Sequence, residues 1–133
     1  MKGSYAQGYA KQYNKMAVQT AVDTGSPHRL VQMLFDGALG KITVAKGHLG
    51  RGEIAQKGQN ISWAISIIEG LRSSLDMEKG GEIDANLDGL YDYMKRRLVE
   101  ANISNDSTML DEVASLLRDI KGAWDAIAPG PGS

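Results

Sequence analysis

Apolar residues recur along this chain at spacings of three and four, while strict alternation is scarce. That period lines one face of an α-helix and does not suit strands. A first helix is predicted over about 26–50. Ser26 is a capping serine, Pro27 suits the first helical position, and Leu30, Val31, Leu34, Ala38, Ile42, Ala45 and Leu49 share one face. Gly50-Arg51-Gly52 ends it, because glycine tolerates the left-handed backbone of a helix end. A second helix, about 53–75, turns Ile54, Ile61, Ile65, Ile68, Leu71 and Leu75 inward. Gly80-Gly81 breaks the chain. A third helix, about 82–103, presents Ile83, Leu87, Leu90, Met94, Leu98 and Ala101. Asn105-Asp106 then caps a fourth, about 106–127, whose stripe runs Met109, Leu110, Val113, Leu116, Leu117, Ile120, Trp124 and Ile127.

Four amphipathic helices joined by short connections place successive helices antiparallel. The expected fold is all-α, an up-down-up-down four-helix bundle over 26–128 with an N-terminal strap. The strap is residues 1–25, partly disordered, where Tyr5, Tyr9 and Tyr13 recur but Gly3, Gly8 and Gly25 interrupt. The tail 129–133, Pro129-Gly130-Pro131-Gly132-Ser133, reads as disordered because it cannot continue a helix.

Composition narrows the function by exclusion. The chain has 133 residues and 42% hydrophobic content, enough for one domain with a real core. A net charge of -1 argues against a nucleic-acid binder held by excess positive charge. The absence of cysteine excludes disulfides, thiolate metal sites and thiol catalysis. No apolar run approaches the ~20 residues of a membrane span, and no apolar stretch follows Met1–Ser4 to make a secretory leader. The expected compartment is the cytoplasm, without membrane insertion.

Candidate chemistry is thin. His28 and His48 lack an acidic partner at the spacing that bundle metal sites use. The acidic stretch from Asp76 to Asp84 has glycine at the sixth position of a calcium loop. Its twelfth is Leu87, where a bidentate glutamate is needed. Lys95-Arg96-Arg97 points to different helix faces, and no phosphate-binding glycine loop or nucleophile–base pair occurs. The chain is therefore read as a non-enzyme with no catalytic, cofactor or metal site.

Apolar residues that the stripes do not absorb are more telling. Trp63 and Ile67 lie off the inward stripe of the second helix and are adjacent to each other at ~100° per residue. On the first helix Met33, Gly37, Gly40 and Val44 line up opposite the core face, and on the third Tyr93 and Val99 stand aside. Glycines within the predicted helices each cost about 1 kcal/mol relative to alanine, which close packing or a partner's backbone would offset. The pattern points to a helical module whose shallow groove, from Met33, Gly37, Gly40, Val44, Trp63 and Ile67, takes an amphipathic partner segment.

The same residues carry a resemblance. Ser26-Pro27-His28-Arg29-Leu30-Val31-Gln32-Met33-Leu34-Phe35-Asp36-Gly37-Ala38 resembles the ASPxxLIxMLYDGA signature of the flagellar export chaperone family FliS. So does the run from Ser74 through Ile83, then Asn86-Leu87 and Leu90 to Met94, with Ala101-Asn102, Asn105-Asp106 and Ala123-Trp124 near Ile127. The likeness covers about residues 13–128; Val22-Asp23-Thr24-Gly25 departs from the family's shorter approach to the first motif. It implies an antiparallel bundle that binds the disordered C-terminal segment of flagellin in the cytoplasm. Binding would block premature polymerisation and assist delivery to the flagellar type III export gate. It also implies a regulatory strap, whose tyrosine Tyr13 best matches, followed by Met16 and Val18. The alternative is a helical regulatory adaptor that binds another amphipathic segment, such as an anti-sigma factor. No cofactor is expected.

Overall fold

The computed structural model describes residues 26–127, without the side chains of residues 77–79. The strap residues Tyr13, Met16 and Val18 and the tail 129–133 lie outside the described residues. Four helices follow one another: α1 (Pro27–Gly50), α2 (Ile54–Ser73), α3 (Met77–Ser104) and α4 (Ser107–Ala126).

Local chemistry explains where each helix begins and ends. Ser26 is extended, and its Oγ accepts from the Arg29 amide at 3.2 Å, with Pro27 just inside α1. After α1, Gly52 adopts φ +73, and the Glu53 amide turns back onto the His48 carbonyl at 2.9 Å. The Glu53 carboxylate receives His48 Nδ1 and Arg51 Nε, each at 2.8 Å, and these hydrogen bonds, His48's first, hold its carboxyl below the usual range. At the same end of the bundle Asn105 ends α3 with φ +53, and Asp106 caps α4 by accepting from the Thr108 amide at 2.9 Å. Lys57 closes the same corner: its buried ammonium donates to Asn102 O at 2.8 Å and Asn105 Oδ1 at 2.6 Å. It thereby satisfies a carbonyl that the end of α3 leaves without a helical partner.

Each helix packs against two neighbours, in the ring α1–α2–α3–α4–α1. Cross-helix polar contacts give the directions. Gln32, early in α1, donates to Asp125 near the end of α4, whereas Lys46, late in α1, pairs with Asp111 near the start of α4. Arg72 at the end of α2 meets Asp88 in early α3, and Arg97 in late α3 meets Glu112 in early α4. Neighbours therefore run antiparallel, and the described residues form an all-helical four-helix bundle.

The core is built by Phe35, Ile61, Ile68, Leu71, Met94, Leu98, Leu110, Val113 and Leu117, with Ala38, Ala45 and Ala64 fully buried among them. Three residues expected inside are exposed: Ile54 at 48%, Ile83 at 72% and Ile127 at 59%. All three sit at helix ends, where the stripe runs past the point at which four helices still enclose an interior. Tyr91, absent from the expected stripes, is buried instead. The glycine break is also subtler than a loop. Met77–Gly80 already form a helical turn, and Gly81 interrupts α3 with φ 56 and ψ -127.

Candidate functional site

The residues expected to form one groove on α1 and α2 separate into two kinds. Ile67 is completely buried and belongs to the core. The reason is geometric: α2 is covered by α1 on one side and α3 on the other. Its buried residues, from Lys57 through Leu71, therefore occupy well over half of its circumference at ~100° per residue. A single narrow stripe centred near Ile61 and Ile65 places Ile67 outside; the true arc, centred nearer Ala64 and Leu71, contains it.

The other positions lie nearer the surface. Met33, Gly37 and Trp63 are half-buried, Gly40 is exposed with open space where a side chain would stand, and Val44 is 45% exposed. Lys41 places its ammonium 3.5 Å from the centroid of the Trp63 ring, so the face of that indole is covered by a cation. This contact ties α1 to α2 and interrupts the apolar strip. Tyr93, also set aside by the stripes, donates its hydroxyl to Glu112 at 2.6 Å and ties α3 to α4.

A more pronounced concavity lies at one end of the bundle, where α1 and α3 begin and α2 and α4 finish. Its volume is about 580 Å3. Val31 and Phe35 contribute from α1, Leu75 from the end of α2, Ile83, Leu87 and Tyr91 from α3, and Ile120, Ala123, Trp124 and Ile127 from the end of α4. Phe35 and Tyr91 are its buried members; burial first, and the charge of Asp84 second, push the Tyr91 hydroxyl up to about 12. Ser74, Asp76, Asp84 and Asp119 add polar groups to the lining, so an apolar trough is edged by negative charge.

The wall between α1 and α4 is clasped. The His28 and Trp124 rings stack at 4.6 Å with 11° between planes, and Trp124 Nε1–H donates to the His28 carbonyl at 3.1 Å. One turn on, Gln32 Nε2 donates to Asp125 at 2.8 Å, and Lys121 bridges Asp36 at 3.3 Å and Asp125 at 3.1 Å. The Gln32 hydrogen bond, followed by that of Lys121, holds the Asp125 carboxyl below its ordinary range. Among the described residues no three His, Asp or Glu side chains gather where they could hold a metal ion. The groove joins apolar surface to negative charge at its edge.

The groove escaped the periodicity because most of its members are stripe residues and were assigned to the core. A signal was nonetheless present. In an antiparallel bundle the starts of α1 and α3 and the finishes of α2 and α4 fall at one end, and each brings a large apolar residue there: Val31, Ile83, Leu75 and Trp124.

Comparison with known proteins follows the same lines. The model of the flagellar protein FliS family matches residues 9–131. The chain belongs to the FliS family. It is 48% identical to the flagellar secretion chaperone FliSB of Pseudomonas aeruginosa over 124 residues, covering 93% of this chain and 98% of that protein. With the flagellar secretion chaperone FliS of Salmonella typhimurium it shares 47% identity over 126 residues, 94% of this chain and 93% of the relative. The Vibrio cholerae FliS is 43% identical over 123 residues, 92% and 90% of the two chains. These FliS relatives are secretion chaperones by name, which supports an export-chaperone role. No helix among the described residues is long and apolar enough to cross a membrane.

Proposed function

We propose that this FliS-family chain is a cytoplasmic export chaperone that binds the disordered C-terminal segment of flagellin, blocks its premature polymerisation and assists delivery to the flagellar type III export gate. The observation that carries this reading is the end groove: a concavity of about 580 Å3 with a largely apolar lining, bordered by Ile83 and Ile127, which stand 72% and 59% exposed. Large apolar side chains exposed beside a concavity favour an amphipathic segment, whose burial contributes roughly 25 cal/mol per Å2 of apolar area. Ordering a disordered client opposes that gain, so capture stays reversible without nucleotide hydrolysis.

Residues 1–25 act in this scheme as a strap, with Tyr13, Met16 and Val18 competing for the groove. Ser26 leads into α1 beside the His28–Trp124 stack, so the preceding chain starts from the groove's own end of the bundle. Residues 1–25 carry Lys2, Lys11 and Lys15 against Asp23, which complements Asp76, Asp84 and Asp119. Met33, Gly37, Gly40, Val44 and Trp63 form a second, shallower stretch of the client track.

Titration of full-length protein with flagellin's C-terminal segment, and co-purification with flagellin bearing or lacking that segment, tests the reading. Saturable binding that disappears with the segment is expected; retention of truncated flagellin with unchanged affinity refutes it. Val44→Asp is expected to weaken capture with little change in thermal unfolding, and unchanged capture removes the α1 strip from the track.

A further inference from the structure

We propose that the corner between α2 and α3 is a hinged wall of the end groove and that Asp84 is its latch, the positioning residue that holds Leu75 and Ile83 at the spacing seen here. The proposal concerns the groove itself and holds whichever segment occupies it.

Both sides of the corner line the groove, Leu75 and Asp76 before it and Ile83, Asp84 and Leu87 after it. Between them stands one helical turn, Met77–Gly80, joined to the body of α3 through Gly81 at φ 56 and ψ -127. That backbone state is nearly closed to residues with a β-carbon. The turn is therefore attached through a residue that departs from helical geometry, and a restraint across that point would fix its direction.

Asp84 supplies the missing restraint. Its Oδ2 accepts from the Asp76 amide at 2.8 Å, reaching back across Gly81 to the chain ahead of the turn. A carboxylate accepting from a backbone amide is a charge-assisted bond, stronger than a neutral one. Gly80 makes room for it: a β-carbon there would coincide with the Asp84 carboxylate. Gly80 and Asp84 are thus a matched pair, one vacating the space the other fills. Ile83, the neighbour of the latch, stands 72% exposed at the groove mouth, so its position follows the corner.

The test uses the full chain in four forms: wild type, Asp84→Ala, Asp84→Asn and Gly80→Ala. Both Asp84 variants lose the same charge, but asparagine keeps a carbonyl oxygen that accepts from the Asp76 amide. Hydrogen exchange at Asp76 is expected to quicken about tenfold in Asp84→Ala, equivalent to about 1.4 kcal/mol, and to stay within about threefold of wild type in Asp84→Asn. The apolar dye 1-anilinonaphthalene-8-sulfonate is expected to bind Asp84→Ala about threefold more weakly than Asp84→Asn. Gly80→Ala retains the carboxylate but takes its place, and is expected to match Asp84→Ala in exchange. It reads the same bond should Asp84→Ala fail to fold. Equal exchange and equal dye affinity in Asp84→Ala and Asp84→Asn overturns the latch, as does wild-type protection of the Asp76 amide in Gly80→Ala.

Discussion

Replacing Ile83 with alanine separates client contact from folding, because this side chain stands largely outside the core yet lines the groove. Full burial of an isoleucine side chain is worth about 1.5–3 kcal/mol. With 72% of Ile83 exposed in the free protein, a client that covers it completely gains roughly 1–2 kcal/mol from this residue. Ile83→Ala forfeits most of that, so affinity for flagellin's C-terminal segment is expected to fall about 5- to 30-fold. Stability should change little, by about 0.5 kcal/mol or less, as for exposed positions elsewhere. Ile67→Ala is the control: its site is completely buried, and truncation there is expected to cost about 2–5 kcal/mol of folding free energy. The assay is calorimetric titration of the client segment into each variant, paired with urea unfolding of the same preparations. Affinity for Ile83→Ala within twofold of wild type refutes the groove as the client's seat. A stability loss in Ile83→Ala that matches Ile67→Ala refutes its assignment to the surface.

Deletion of residues 1–18 is expected to strengthen binding of the same segment, since the competing strap is shortened; unchanged or weaker affinity in the titration argues against competition. Lys57→Met keeps the packed stem but loses the ammonium that holds Asn102 O and Asn105 Oδ1, and urea unfolding near neutral pH should show a loss of about 1.5–3 kcal/mol. Burial lowers the Lys57 pKa from 10.5, so the folded state binds fewer protons than the unfolded one below that value. Its contribution therefore improves as pH climbs through the folded pKa towards 10.5, and the difference between wild type and Lys57→Met should shift across that window. Glu112 titrates in the opposite direction. Its hydrogen bond from Tyr93, then that from Arg97, holds its carboxyl below 4.5, so its stabilisation is complete above that value and is lost as pH falls through the folded pKa. Acid unfolding of Glu112→Gln should lack this component; an acid limb identical to wild type refutes it.

Much of the architecture is written locally. Ser26-Pro27 and Asp106 start α1 and α4 through hydrogen bonds that span two or three residues, and repeats of three and four place Leu34, Ile61, Leu98 and Leu117 inside. The family motifs are local strings too, which is why membership was legible before any geometry. Ile67 was not legible, because the width of a helix's buried arc depends on how many neighbours cover it, and α2 is covered from two sides. Lys41 over Trp63 was equally hidden: both lie on predicted helices, but their approach depends on how α1 and α2 are rotated against each other.

The order of helices, their antiparallel course and the identity of most core residues thus followed from the sequence by itself, since helical periodicity and capping act over a turn or two of chain. Where the apolar stripes stop being covered was decided only by tertiary structure. The groove exists because four helix ends, distant along the chain, meet without closing, and no local pattern distinguishes an isoleucine at such an end from one a turn further in.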